Sequence, residues 1–195
     1  REDQLNLLPT LREQGYSVVL DRQAMIDEDS DQIIGLFSPS GMPSENRIPS
    51  LAEMTNKAVE SLSSNENGFF LMVEGSQIDW GGHANETPYV VREVKDFDDA
   101  IGVVLAFAQE NPGTLVIITA DHETGGMTIN GVNRENTVVD IAWTSTGHTG
   151  TPIPLMAYGP HAVEFSGWWD NTDIGKKVAD LLGFENFPLI ISADK

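Results

Sequence analysis

Short apolar runs alternate with helical patterns along this chain. Residues 69–73 (FFLMV) and 115–119 (LVIIT) show such runs most clearly, because neither contains a charged residue. Strands that are apolar on both faces are typical of a parallel sheet covered by helices. The other runs that predict strands are 16–20, 33–37, 127–129 and 153–158. The pattern therefore predicts an α/β fold, with a mostly parallel buried sheet flanked by helices.

Two helices are predicted in the first third of the chain. Leucines at helical spacing predict a helix over 3–14, and Pro9 predicts a start or a kink within it. Ser50 and Glu53 have the spacing of a capping box, which predicts a second helix that runs to about residue 62.

A longer helix over 88–109 carries most of the expected core. Its buried stripe is predicted to contain Val90, Val91, Val94, Phe97, Ile101, Val104, Leu105 and Ala108. A last helix, capped by Thr172 or Asp173, is predicted to reach about residue 182. No repeat or domain boundary is visible, so 1–195 is expected to be a single domain with excursions near 38–49 and 130–151.

Composition narrows the range of functions. The formal net charge of −19 argues against a nucleic-acid-binding surface, which would be basic. No apolar run approaches the roughly 20 residues that a membrane-spanning helix needs. The acidic excess indicates a well-solvated surface, and an anionic substrate would require a local positive centre such as bound metal ions. Because the chain has no cysteine, a transition metal would need histidine and carboxylate ligands.

Candidate ligands follow two of the apolar runs. Glu74 comes directly after 69–73, and the pair Asp121 and His122 follows 115–119. Ligand sites in open α/β sheets lie beyond the carboxyl ends of strands, so these positions are expected to be neighbours.

Three further residues complete the candidate set. Asp79 and His83 are four apart, so a helical turn would place both side chains on one face. His148 lies in a glycine-flanked segment, TGHTG, before the run at 153–158. Imidazole and carboxylate suit zinc, whereas an all-oxygen site suits magnesium. Six such ligands fit two or three metal ions better than one, and paired ions are typical of phosphoryl transfer.

Each of these residues also has a structural interpretation. An Asp-x-x-x-His pair on a helix is usually an accident of the surface when it stands alone. His161 is expected to be a surface histidine, and the acidic run at 27–31 a solvated face. The pair Trp168 and Trp169 is expected to serve packing, an interface or a loop anchor.

Three motifs in the same order resemble the metal-binding segments of the alkaline phosphatase family. They are 73–83 (VEGSQIDWGGH), 119–126 (TADHETGG) and 146–150 (TGHTG). The resemblance implies phosphomonoester hydrolysis through a phosphoserine intermediate, with two zinc ions and one magnesium ion. The implied ligands are Asp79, His83 and His148 for the first zinc, Asp121 and His122 for the second zinc, and Glu74 for magnesium.

The chain departs from the family pattern at the nucleophile. The family's Asp-Ser-Ala-like motif is absent, and Asp29, Ser30 and Asp31 do not match it because no small residue follows the serine. The chain thus resembles a C-terminal half and is expected to be a partial fold that is inactive in isolation. The implied partners are a phosphomonoester substrate, inorganic phosphate, the missing N-terminal half and a second copy in a homodimer. The family resemblance implies a periplasmic or secreted location, although no signal peptide follows Arg1.

Two other functions stay open on the sequence alone. The chain could be a non-catalytic metal-binding or structural module, or it could belong to a related phosphodiesterase or sulfatase. The segment 79–83 (DWGGH) favours a phosphomonoesterase. Two zinc ions per chain would favour an enzyme, whereas a chain without metal would favour the structural module.

Overall fold

A computed structural model describes residues 5–42, 44–135 and 138–188. The α-helices in this part of the chain are α1 (Leu8–Glu13), α2 (Arg22–Asp27), α3 (Leu51–Ser63), α4 (Gln77–Ala84), α5 (Thr87–Glu110) and α6 (Asn171–Leu181). The strands are β1 (Ser17–Val19), β2 (Ile33–Gly35), β3 (Val116–Ile118), β4 (Glu123–Thr124), β5 (Thr128–Asn133), β6 (Val138–Ala142), β7 (His148–Thr149) and β8 (Met156–Tyr158). Two short 3-10 helices are Ser44–Asn46 and Ala162–Phe165.

The described strands form four two-stranded pairs, and a mostly parallel sheet is not confirmed. Strands β1 and β2 are parallel, with α2 between them as the crossover. The other pairs, β3–β8, β4–β7 and β5–β6, are antiparallel. Parallel strands need a long crossover, usually a helix. The chain between β3 and β8 contains no described helix and returns through hairpins, which allows antiparallel pairing.

Residues 69–73 are not paired as a strand, so the strand predicted there is wrong for the described part of the chain. Alternate side chains are still covered: the Phe69 ring lies 6.1 Å from that of Phe107 on α5. Phe70 and Met72 are 65% and 74% exposed. An apolar run indicates burial but does not identify the strand that would pair with it, and here only one face is covered.

Helix α5 forms the centre of the core and packs mainly on α3. Ala100 and Ala108 on α5 and Val59 on α3 are buried. The predicted stripe is wrong at Val91 and Val94, which are 47% and 45% exposed. Glu93, between these two valines, is buried in their place.

Arg47, Glu93 and Asp96 form a buried ion network. Nη2 of Arg47 donates to Glu93 Oε2 at 2.6 Å, and Nη1 donates to Asp96. The side chains of Arg47 and Glu93 are only 8% and 1% exposed. Burial, the largest single influence, opposes the charge of Arg47, but the two carboxylates together outweigh it and raise the pKa of Arg47. These ion pairs connect the loop at 38–49, through Arg47, to α5.

Helix caps explain two differences from the predicted elements. Asp21 accepts a hydrogen bond from the Ala24 amide at 2.8 Å and caps the start of α2. The mostly polar sequence of 21–31 does not indicate this helix. Asp170 accepts from the Thr172 amide at 3.0 Å and caps α6, in place of the predicted Thr172 or Asp173. The predicted capping box of Ser50 and Glu53 at the start of α3 is confirmed.

The termini of the other predicted elements shift by a few residues. The helix predicted over 3–14 is described as α1, which begins at Leu8 with Pro9 in its first turn. Residues 3 and 4 lie outside the described part of the chain. The predicted helix over 88–109 is confirmed as α5. The excursion predicted near 130–151 contains most of the β5–β6 hairpin and β7.

Candidate metal centre

Helix α4 carries the first two candidate ligands. Asp79 and His83 are one turn apart on this helix, as the spacing predicts. Asp79 Oδ1 lies 3.4 Å from His83 Nε2. His83 Nδ1 lies 2.6 Å from the carbonyl oxygen of Thr146. A carbonyl can only accept, so Nδ1 carries the proton and Nε2 keeps the lone pair that a metal needs.

The short pair β4–β7 adds the third ligand. Thr124 on β4 is in register with His148 on β7. His148 Nε2 lies 3.4 Å from Asp79 Oδ1. His148 is 65 residues from His83 in the sequence, so the fold brings distant segments together. The predicted grouping of Asp79, His83 and His148 is therefore present in the structure.

Two of the three separations among these ligand atoms match those of a zinc site. One ligand atom from each lies within 4.8 Å of the other two. Zinc bonds of about 2.0–2.1 Å at tetrahedral angles separate neighbouring ligand atoms by about 3.3–3.4 Å. The two separations of 3.4 Å from Asp79 Oδ1 match that value. Two imidazoles and one carboxylate are also a donor set that zinc accepts.

Asp121 and His122 lie beside this group. The His122 ring stacks on the His148 ring, with centroids 3.5 Å apart and an interplanar angle of 21°. His122 Nε2 lies 3.1 Å from Asp121 Oδ2, so the two donor atoms face one another at a ligand-like distance. The Asp121 side chain is 82% exposed. The pair is thus adjacent to the first three ligands and open on one side.

Glu74 is exposed and is not part of the group formed by Asp79, His83 and His148. Its place as the magnesium ligand stays a prediction. His161 is exposed and bonded to Glu164 at 2.7 Å, which confirms it as a surface histidine. The bonds from His161 and Lys177 lower the pKa of Glu164.

The sequence did not indicate the residues that support the ligands. The Thr124 hydroxyl lies 2.6 Å from Asp79 Oδ1. The Glu123 carboxylate accepts from the Gly126 amide at 2.9 Å and from the Thr149 hydroxyl, which fastens β4 to β7. Their position directly after Asp121 and His122 is the one signal that the sequence offers, because their hydrogen bonds follow no spacing rule.

The charge around the triad of Asp79, His83 and His148 favours a cation. The ion-pair partners of Asp79 are histidines, and within the described residues no lysine or arginine lies in a salt bridge with it. The whole chain carries a net charge of −19. A metal ion would neutralise part of this local negative charge.

A glycine allows α4 to approach β4 closely. A Cβ on Gly82 would lie 2.8 Å from the Thr124 carbonyl oxygen, which is a backbone atom. A Cβ on Gly125 would likewise lie 2.7 Å from the Gly82 carbonyl oxygen. Glycine within a helix costs about 0.5–1 kcal/mol relative to alanine, so its use here is explained by the contact.

Substitution Gly82→Ala is expected to lower the free energy of unfolding by about 1–3 kcal/mol, because the added methyl forces the helix and the strand apart. Urea unfolding of the metal-free chain measures this change. Gly102→Ala is the matched control: it lies on α5 with no atom within 4 Å of the added Cβ. That control is expected to stabilise the chain by about 0.5–1 kcal/mol. Equal losses in both variants would contradict the close approach.

Comparison with known proteins agrees with this geometry. The family model described as alkaline phosphatase matches residues 1–138 and 133–184. The chain belongs to the alkaline phosphatase family. Alkaline phosphatase 3 of Bacillus subtilis (strain 168) is 33% identical over 253 aligned positions, which cover 92% of this chain and 55% of that protein. The chain therefore spans about half the length of this relative.

Solved alkaline phosphatase structures have the same fold. The enzyme from the Antarctic bacterium TAB5 superposes with a TM-score of 0.83 at 36% identity, covering 94% of this chain and 57% of that one. A substituted form of the TAB5 enzyme, with magnesium bound in a site named M3, gives a TM-score of 0.81 at 35% identity over 93% and 56% of the chains. An alkaline-phosphatase-like α/β fold is thus established. No helix among the described residues has both the length and the apolar character needed to cross a membrane.

Proposed function

We propose that this chain supplies metal ligands to a phosphomonoesterase of the alkaline phosphatase type. The observation that carries the proposal is the convergence of Asp79, His83 and His148 at zinc-like separations. Membership of the family supports the same reaction class. The reaction would use a phosphomonoester as substrate and release inorganic phosphate.

The six candidate ligands divide into three sites in this proposal. Asp79, His83 and His148 hold the first zinc, Asp121 and His122 the second zinc, and Glu74 the magnesium. Magnesium in the TAB5 enzyme variant supports a magnesium site in this family. When bound, such ions polarise phosphoryl oxygens and make water more acidic.

The protein groups have defined tasks at the first site. The Thr146 carbonyl oxygen holds the proton of His83 on Nδ1, so the Nε2 lone pair would be free to bind the ion. Asp79 would contribute the negative charge beside the two imidazoles. The stacked His122 and His148 rings place the second pair of ligands next to the first.

The nucleophilic serine is proposed to lie outside these 195 residues. Ser30 is bonded within its own loop: its amide donates to Glu28 Oε1 at 3.0 Å, and its hydroxyl lies 3.4 Å from the Gln32 carbonyl oxygen. A serine that forms a phosphoserine intermediate needs an activating base or metal, and Ser30 has neither in these contacts. The N-terminal half of the same enzyme would supply the nucleophile.

The exposed apolar segment before Glu74 supports such a partner. Phe70 and Met72 are largely exposed on the segment 69–73, which leads directly to Glu74. Residues of this size are usually covered when they lie in an apolar run. The homodimer and the periplasmic or secreted location remain parts of this proposal that rest on the family resemblance.

The purified chain is expected to show no normal turnover of a generic phosphomonoester in the presence of zinc and magnesium. The reason is the absence of a nucleophile, although the first zinc triad is complete. The assay is run beside Asp121→Ala. Robust turnover that persists unchanged in Asp121→Ala would contradict the proposal.

Metal content separates this proposal from the non-catalytic alternative. Two zinc ions per chain, with activity restored by an N-terminal half, would support the enzyme. A chain that takes up no zinc would support the structural module. Hydrolysis of a phosphodiester or a sulfate ester by the completed enzyme, in preference to a phosphomonoester, would support the other hydrolases.

A further inference from the structure

The Thr124 side chain lies between the two sets of candidate zinc ligands. Its Oγ1 atom is 2.6 Å from Asp79 Oδ1 and 3.2 Å from His122 Nδ1. Asp79 belongs to the first proposed site and His122 to the second. One hydroxyl group therefore contacts a ligand of each site.

The chemistry of the partners fixes the direction of the shorter contact. An ionised carboxylate can only accept, so the single hydroxyl proton of Thr124 points to Asp79. The hydroxyl oxygen faces His122 Nδ1 at 3.2 Å, and Asp121 Oδ2 lies 3.1 Å from Nε2 of the same ring. The His122 ring is therefore held between Thr124 and Asp121.

The threonine methyl group fixes this arrangement. A Cβ placed on Gly82 would lie 3.0 Å from Cβ and from Cγ2 of Thr124, so α4 packs closely against that side of the residue. β-Branched side chains have restricted χ1 rotation. With the methyl group facing α4, Oγ1 is directed toward Asp79 and His122.

We propose that Thr124 is a positioning residue that links the two zinc sites. It holds the Asp79 carboxylate in place for the first site and contacts the His122 ring at Nδ1 for the second. The proposal rests on the proposed function only in that zinc is the ion bound. Loss of the hydroxyl would weaken both sites together, although Thr124 itself binds no metal.

Zinc affinity provides the first test. The wild-type chain and its variants are titrated with zinc against a chromophoric chelator. Thr124→Val keeps the shape of the side chain and removes the hydroxyl, and its zinc affinity is expected to fall about 10–100-fold. Thr124→Ser keeps the hydroxyl and is expected to stay within a few fold of wild type. Thr128→Val is the matched control, because the Thr128 hydroxyl donates to the Ala142 carbonyl oxygen and not to a ligand.

The His122 ring provides a second test that needs no metal. Nitrogen NMR of the metal-free chain is recorded well above the ordinary imidazole pKa of about 6.5. The Nδ1 signal of His122 is expected to be the same in wild type and Thr124→Ser and to shift in Thr124→Val, which loses the hydroxyl contact at Nδ1. An unchanged Nδ1 signal in Thr124→Val, or unchanged zinc affinity in that variant, would overturn the proposal. A wild-type chain that binds no zinc would instead count against the proposed function, and the NMR result would still decide the role of Thr124.

Discussion

Replacing Asp79 by alanine is expected to weaken zinc binding by about 100-fold. Structural zinc sites with four ligands contribute about 10–16 kcal/mol, so the loss of one ligand removes roughly 3 kcal/mol. Asp79 is also the charged member of its triad, and its Oδ1 lies 3.4 Å from both histidine nitrogens. Calorimetric or competition titration with zinc measures the loss.

Thermal unfolding gives an independent measure of the same change. Zinc at about 100 times its dissociation constant stabilises the folded chain by about 2.7 kcal/mol. For a chain of this size, that corresponds to a rise of about 5–10 °C in the unfolding midpoint. The rise is expected in wild type and should be largely lost in Asp79→Ala.

Asp98→Ala is the matched control for Asp79→Ala. It removes the same unit of charge from an exposed position on α5, a helix that carries none of the candidate ligands. Its zinc affinity is expected to stay close to that of wild type. If both substitutions weakened zinc binding equally, the effect would come from the net charge of −19 and not from a site.

The substitution Arg47→Ala is expected to lower the free energy of unfolding by about 3–5 kcal/mol. It leaves Glu93, which is 1% exposed, as a buried carboxylate without its cation. The loop at 38–49 would also lose its connection to α5. Urea or thermal unfolding of the metal-free chain measures the change.

Arg22→Ala serves as the control because Arg22 also bonds to a glutamate. The Arg22–Glu53 pair is 45% and 35% exposed, so its loss is expected to cost no more than about 1 kcal/mol. A double variant, Arg47→Met with Glu93→Met, is expected to be more stable than Arg47→Met alone, since it removes the uncompensated charge. Equal costs for Arg47→Ala and Arg22→Ala would contradict the buried network.

Local features of the site could be predicted from the sequence. The i,i+4 spacing of Asp79 and His83 is enough to place them together, because helix geometry is local. The grouping with His148 depended on a resemblance, since it requires the β4–β7 register across 24 residues from Thr124 to His148. No periodicity in the sequence encodes such a distant contact.

Features set by distant partners could not be predicted. Glu93 is buried although charged residues normally lie outside, because Arg47 reaches it from a loop 46 residues away. The run at 69–73 indicates burial correctly for Phe69, but the sequence does not identify the strand that would pair with it. The direction of pairing of β3 and β8 depended on the connection between them, which contains hairpins in place of a helix.

The hydrogen bonds that orient the candidate ligands could not be predicted either. The tautomer of His83 is set by the Thr146 carbonyl oxygen, and the Thr124 hydroxyl contacts His122 Nδ1. Hydrogen bonds of this kind become visible only when the main chain is placed. The sequence therefore predicted which residues could bind metal, and the structure adds which nitrogen of the His83 ring is available.

The central claim is that Asp79, His83 and His148 bind one zinc ion together. Crystals of the wild-type chain grown with zinc, measured on both sides of the zinc absorption edge, test it most directly. We predict an anomalous peak bounded by Asp79 Oδ1 and the Nε2 atoms of His83 and His148. Zinc peaks at other places, with none between these three atoms, would contradict the claim.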